Sequence, residues 1–366
     1  MNSNPLPSIE DYMSCLENPA LVRAQSLKSG HCMKSGNITI RYAGGFCVVF
    51  PFECPTGKKA VRCWHASLNN MQERTKLISE ELIRLKLPYF VNFEYVKEGI
   101  CTNNGVQPIV VMDWVPGVTL KEYMEDNLHD EGVLEQLAED FKQMVSDLHN
   151  NQLSHGDLQH GNIMVDNNGK LFLVDYDSMY VPALKGFHEE IKGLNGYQPE
   201  ARRGNEFVSP KVDYFSELVI YLSILAVAKK PELWDNLQMS DSETMVFTAQ
   251  DISSKGTTPI FNQLRSISGL SEMVDKIVEY SKCDSLDEIS PLEESIAPQS
   301  TKIINSISGK MMQKPPVTAP TQMSNTKISE GIGAIMEKKP KIENTGKQDT
   351  SKITESILKQ MNKRNA

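Results

Sequence analysis

What this sequence lacks removes several classes of protein. None of its apolar runs is long enough to cross a bilayer. The longest, Leu218 to Ala228, falls short of the ~20 residues required and predicts a buried helix. No basic-then-apolar leader opens Met1 to Cys15. The seven cysteines are scattered and include no Cys-x-x-Cys pair, which argues against a zinc site and predicts a reducing, cytoplasmic setting. Positive charge is scarce, with a formal net charge of −9. It is also uneven: residues 296–366 hold 12 Lys/Arg against 5 Asp/Glu, and the remainder holds 26 against 42. An acidic body of this kind is a poor nucleic-acid binder. Aromatic residues stop at Tyr280, so the segment beyond lacks the material for a packed core.

What is present is a chain of 366 residues, 40% hydrophobic, enough for a sizeable folded domain and something extra. Its chemistry concentrates in one stretch. His155-Gly-Asp-Leu-Gln-His-Gly-Asn162 is polar, carries two glycines and reads as a loop. Ile163 to Val165 and Leu171 to Val174 follow as apolar runs, separated by the turn signal Asp166-Asn-Asn-Gly169. The pair predicts a β-hairpin, which brings Asp157 and Asn162 on the loop close to Asp175 at the end of the second strand. Two carboxylates and an amide there suit a hard, oxygen-liganded cation such as Mg²⁺. One carboxylate is left to accept a proton from an attacking hydroxyl.

This segment resembles the catalytic loop, hairpin and metal-binding aspartate of the protein-kinase-like superfamily. The form His-Gly-Asp is closest to the small-molecule branch of aminoglycoside and choline kinases, whereas the rest of the chain is more similar to a bacterial Ser/Thr protein kinase. The resemblance implies an α+β bilobal fold, with a small β-rich N-lobe, a larger helical C-lobe and a flexible C-terminal tail. It implies ATP and Mg²⁺, with Asp157 as catalytic base and Asn162 and Asp175 as metal ligands.

The N-lobe is expected at 37–115, after an extension at 1–36 in which a helix covers Ile9 to Leu16. Strands are predicted at Ile38 to Tyr42, Phe46 to Phe52 and Ala60 to Trp64. By resemblance, Gly44 and Gly45 belong to the nucleotide-binding glycine loop and Val49 packs on adenine. Tyr42 and Cys47 stand where two further glycines are expected, which stiffens the loop. Arg62 occupies the phosphate-anchoring lysine position, and Lys58 and Lys59 are possible substitutes. A helix is predicted over Asn69 to Leu87. The family needs a glutamate there to pair with the anchoring cation; Glu80 or Glu81 is the choice, with Glu73 a further candidate. Val110 to Gly117 resembles the strand leading into the inter-lobe hinge, with Met112 as gatekeeper and the main chain of Asp113 and Val115 at the adenine edge.

The C-lobe is expected at 116–290. Thr119 and Glu122 predict an N-capped short helix, and Val133 to Asn150 a long amphipathic one ending near a capping His149. Pro199-Glu200 and Asp213 resemble the end of the activation segment and the brace of the catalytic loop. Gly156 replaces the arginine that elsewhere receives an activating phosphate, and Gln159 replaces a phosphate-contacting lysine. Helices are predicted at 214–228, near 231–248, at 259–268 and at 271–281.

The tail, 291–366, repeats. Thr301-Lys-Ile303, Thr326-Lys-Ile328 and Ser351-Lys-Ile353 recur at a period of 25, each followed by Ile and Met at intervals of four. The copies predict short docking helices for a protein partner or for the folded domain itself. Neither nucleic acid nor membrane is expected as a partner. The leading expectation is a protein Ser/Thr kinase. A small-molecule kinase and a catalytically dead scaffold presenting the tail motifs are the alternatives.

Overall fold

The computed structural model describes residues 6–67 and 70–297. The repeat motifs around Ile303, Ile328 and Ile353 lie outside them.

The first half folds around an antiparallel sheet. Helix α1 (Ile9–Leu16) precedes the short strands β1 (His31–Cys32), β2 (Lys34–Ser35), β3 (Ile38–Thr39) and β4 (Tyr42–Ala43). Then come β5 (Cys47–Cys54), β6 (Gly57–Trp64), α2 (Met71–Leu85), β7 (Phe93–Thr102) and β8 (Gly105–Asp113). Strand order is β1-β5-β6-β8-β7, with β4 paired to β5. The β5–β6 register runs from Cys47 opposite Trp64 to Cys54 opposite Gly57, and Gly57 turns the corner at φ +115°.

Both faces of this sheet are buried, which explains the unbroken apolar run Ile109-Val110-Val111. Val110 joins Ile78 and Leu82 of α2 in the core beneath the sheet, while Ile109 and Val111 point to the other side. There they meet Phe50, Val61 and Cys63, and the whole face is covered by Tyr12, Leu16 and Leu27. Burial of each such side chain stabilises by about 1.5–3 kcal/mol. Residues 6–36 are therefore part of the lobe. Ser8 caps α1 through a reciprocal pair with Asp11, and Tyr12 Oη donates to the Trp64 carbonyl at 3.0 Å.

The second half is mainly helical. It comprises β9 (Gly117–Thr119), α3 (Leu120–Asp126), α4 (Glu131–Asn150), β10 (Ile163–Asp166) and β11 (Leu171–Leu173). Helices α5 (Tyr214–Lys229), α6 (Leu233–Asn236), α7 (Ala249–Ser253), α8 (Pro259–Arg265), α9 (Ser271–Tyr280) and α10 (Leu292–Ser295) complete it. The predicted hairpin forms, Ile163 opposite Leu173, with β9 as a third strand on β10. Thr119 and Glu122 make the expected capping box. Helix α5 is buried nearly all round, from Phe215 to Ala228. Among the described residues no helix is long and apolar enough to cross a membrane.

Two expectations fail here. The helix expected near 231–248 is only the four residues of α6 and a 3₁₀ turn. Ser242 accepts from Thr244 N at 3.1 Å, a local bond that competes with a helical ladder. The folded lobe also extends past residue 290, because Leu292 is fully buried.

Candidate active site

The loop after α4 is clamped from two sides. Asp213, itself 1% exposed, accepts from the backbone N–H of His155 and of Gly156, the latter at 3.0 Å. Arg202 donates to the Gly156 carbonyl at 2.7 Å and to the Val212 carbonyl at 2.8 Å, and pairs with buried Glu189 at 2.7 Å. Gly156 has φ +81°, and a Cβ there would lie 2.1 Å from the Ser178 carbonyl oxygen. No side chain fits, so His-Gly-Asp is a packing requirement of this loop. Neither Arg202 nor Glu189 carries a motif or spacing that marks this role. Glu200, expected near the segment's end, is instead at the surface beside Lys255 at 3.3 Å.

This clamp presents Asp157. Its Oδ1 accepts from Leu194 N at 2.9 Å, and its Oδ2 from Asn162 Nδ2 at 3.2 Å. Asn162 Nδ2 also donates to the Asp157 carbonyl at 2.8 Å, which turns the amide oxygen to the opposite side. Val174 N donates to the Asn162 carbonyl at 3.0 Å, tying the second hairpin strand to the loop. Asp175 follows at φ +66°, a conformation that non-glycine residues seldom take. Asp157, Asn162 and Asp175 all line one cavity of about 470 Å³ between the lobes.

The rest of that cavity is apolar above and below. Val49 and Ala60 line it from the sheet, and Met164 and Val174 from the hairpin. Met112, Asp113 and Val115 line the connecting edge, beside Trp114. Tyr42 packs on Trp114 with ring centroids 6.3 Å apart, and Lys58 Nζ lies 3.7 Å from the same ring. Lys59 pairs with Asp113. Neither lysine is placed at Arg62, since each step along a strand covers about 3.3 Å. Gly44 and Gly45 border the cavity, but neither has positive φ and a Cβ on Gly45 meets nothing. They form a turn, with Gly44 N donating to the Cys47 carbonyl at 2.8 Å.

Arg62 is 4% exposed and reaches into the cavity. Its Nη1 lies 3.5 Å from Asp175 Oδ1, and its Nη2 donates to Asp177 Oδ2. Its Nε is buried with no hydrogen-bond partner among the described residues. Burial opposes the guanidinium charge, yet Asp177 and Asp175 hold its pKa above the ordinary value. Burial pushes the Cys47 thiol up to about 11, so it remains protonated. Burial also raises the Asp177 pKa, against the pull of Arg62.

The expected partnership of Arg62 with a helix glutamate does not form. Glu80, on the outer side of α2, lies 3.7 Å from Lys76, and the half-buried Glu81 pairs with Arg84 at 2.7 Å. The helix buries Thr75, Ile78, Ser79 and Leu82, and the 3.6-residue period leaves both glutamates off that face. Asp177, missed as a partner, supplies the carboxylate instead. His149 is likewise no mere cap: its two ring nitrogens lie 2.9 Å from Glu217 and 3.1 Å from Glu293.

The family described as "protein kinase domain" matches residues 57–314, more than half of the chain. Among curated proteins, the serine/threonine-protein kinase PrkC of Bacillus subtilis (strain 168) is 26% identical over 121 residues. That match covers 32% of this chain and 18% of the relative's length.

Proposed function

The chain belongs to the protein kinase domain family, and from that premise we propose that it transfers the γ-phosphoryl group of ATP to a Ser or Thr hydroxyl of a protein. The convergence of Asp157, Asn162, Asp175 and Arg62 on one cavity carries this reading. Val49 and Ala60 above and Met164 and Val174 below form a slot for adenine, whose edge meets the main chain of Asp113 and Val115.

The donor set fits Mg²⁺. Asn162 offers its amide oxygen and Asp175 a carboxylate that is 41% exposed, both hard oxygen ligands. Mg²⁺ typically takes one or two such groups and completes its shell with water and phosphate oxygens. When bound, it neutralises charge on the transferring phosphate. Asp157 is oriented by Asn162 and by Leu194 N–H, so that it directs the acceptor hydroxyl. It takes the hydroxyl proton as the new O–P bond forms and the bond to the leaving ADP breaks. Arg62 faces the phosphates as a fixed cation.

The Ser178 carbonyl excludes any side chain at Gly156, so packing accounts for the glycine without reference to the acceptor. The seven unpaired cysteines fit a reducing, cytoplasmic compartment. The repeats at Ile303, Ile328 and Ile353 are assigned to protein docking on the strength of their common period.

The test is incubation of the full chain with Mg²⁺ and γ-labelled ATP, following phosphate onto protein. Wild type is expected to label protein and Asp175→Asn to lose the label. Asp157→Asn is expected to keep the nucleotide-dependent thermal shift while transfer falls ~10²–10⁴-fold. Wild type with neither label nor shift would overturn the reading.

A further inference from the structure

We propose that Asp177 is the positioning residue for the phosphate-facing cation, so that this cleft is assembled without any carboxylate from α2. The proposal rests on the nucleotide-binding reading above.

The polarity of α2 is the first ground. Its residues Met71, Arg74, Thr75 and Ile78 border a second cavity, of about 590 Å³, whose opposite wall includes Asp177 and Ser178. None of the four is acidic. The helix contributes a cation instead: Arg74 Nε donates to the Asp177 carbonyl at 2.8 Å, and its Nη2 to the Met179 carbonyl at 2.9 Å. Where the family pattern calls for a glutamate, this helix holds the backbone of the loop with an arginine.

The second ground is how Asp177 is fixed. It sits in a 3₁₀ turn, Tyr176–Ser178, directly after Asp175. Tyr176 is buried; its hydroxyl donates to the Leu173 carbonyl at 2.6 Å and accepts from Val91 N at 3.2 Å. Its ring meets Phe93 and Phe90 edge-on at 5.0 and 5.6 Å. A phenylalanine in this place would lack both hydroxyl bonds. Anchoring Tyr176 fixes the direction in which the next residue points, and that direction is toward Arg62.

The third ground is the choice of arginine. One guanidinium fork reaches both Asp175 and Asp177. An ammonium is a point charge and does not span two carboxylates in this planar way. The pair thus joins the cation to the loop that carries Asp175, and α2 bears on it only through the backbone that Arg74 holds.

The experiment measures Mg-ATP binding by calorimetry, and initial transfer rates, on the full chain. Asp177→Asn is expected to raise the nucleotide Kd and KM at least tenfold, with Asp177→Glu recovering part of the loss. Glu80→Gln and Glu81→Gln are expected to stay within twofold of wild type. A merely structural role would lower the active fraction, and hence kcat, without moving KM. Arg62→Lys covers the case in which Asp177→Asn does not fold. It is expected to raise KM similarly, and no change in its KM would overturn the proposal. Wild-type KM in Asp177→Asn, or an equal loss in Glu81→Gln, would also overturn it while leaving the kinase reading intact. A wild type that binds no Mg-nucleotide would overturn both.

Discussion

The floor of the cleft and its roof are built by different rules. On the floor, Asp157, Asn162 and Asp175 lie within one loop and hairpin, and their placement follows from local spacing. Asp213 and Arg202 then lock that loop through backbone atoms, a bond type indifferent to the side chain being held. On the roof, Arg62, the turn at Gly44-Gly45 and α2 come from separate elements, and each departs from the family pattern. Arg62 finds its carboxylate on the floor, and the glycines are not demanded by backbone conformation. Charges that must meet the same ligand need a common place, whereas the partner of a buried cation need only be near and negative. That second condition lets the partner move from one element to another.

Three measurements sharpen this contrast. The largest effect is expected on the floor. Gly156→Ala must adopt φ +81° and also displace the Ser178 carbonyl, so it is expected to cost about 3 kcal/mol or more, read from urea unfolding. A variant as stable as wild type would mean that the loop is not clamped as described.

Beneath the floor, His149 bridges Glu217 on α5 and Glu293 on α10. Burial works against its charge, but the Glu217 bond and the two carboxylates lift its pKa to about 9. The folded protein therefore keeps a proton that the unfolded chain releases near 6.5. The stabilisation is full below that value and is lost as pH rises through about 9. Burial raises the Glu217 pKa against the pull of His149, and the two titrate as one buried pair, so the loss with rising pH belongs to the pair. His149→Gln is expected to be about 2 kcal/mol less stable than wild type at pH 6, with the gap closing by pH 10. A gap that does not change with pH would show that the imidazolium is not what joins the helices.

The smallest effect is expected on the roof. Gly45 has ordinary backbone angles and open space at Cβ. Gly45→Ala is expected to stabilise by about 0.5 kcal/mol by restricting the unfolded chain. Destabilisation would show that the turn needs its glycine and that roof and floor are equally constrained.

Most helices were legible in the sequence, because α1, α3 and α4 carry both periodic apolar residues and capping signals. The stretch from Pro231 to Thr248 was not, since Leu233, Trp234 and Leu237 keep helical spacing while the Ser242 side chain takes the backbone elsewhere. The extension at 6–36 carried no sign of its role, which appears only when Tyr12, Leu16 and Leu27 meet the outer face of the sheet.

By itself the sequence determined the loop, the hairpin and the approach of Asp157 and Asn162 to Asp175, because a tight turn joins neighbours and side-chain period fixes their faces. Only the tertiary structure decided which carboxylate holds Arg62, what excludes a side chain at Gly156 and which residues clamp the loop. Those contacts join positions 22 to 115 residues apart, from Gly156 to Ser178 and from Arg62 to Asp177. Their pairing depends on how packed elements face one another in space, and no local spacing encodes that.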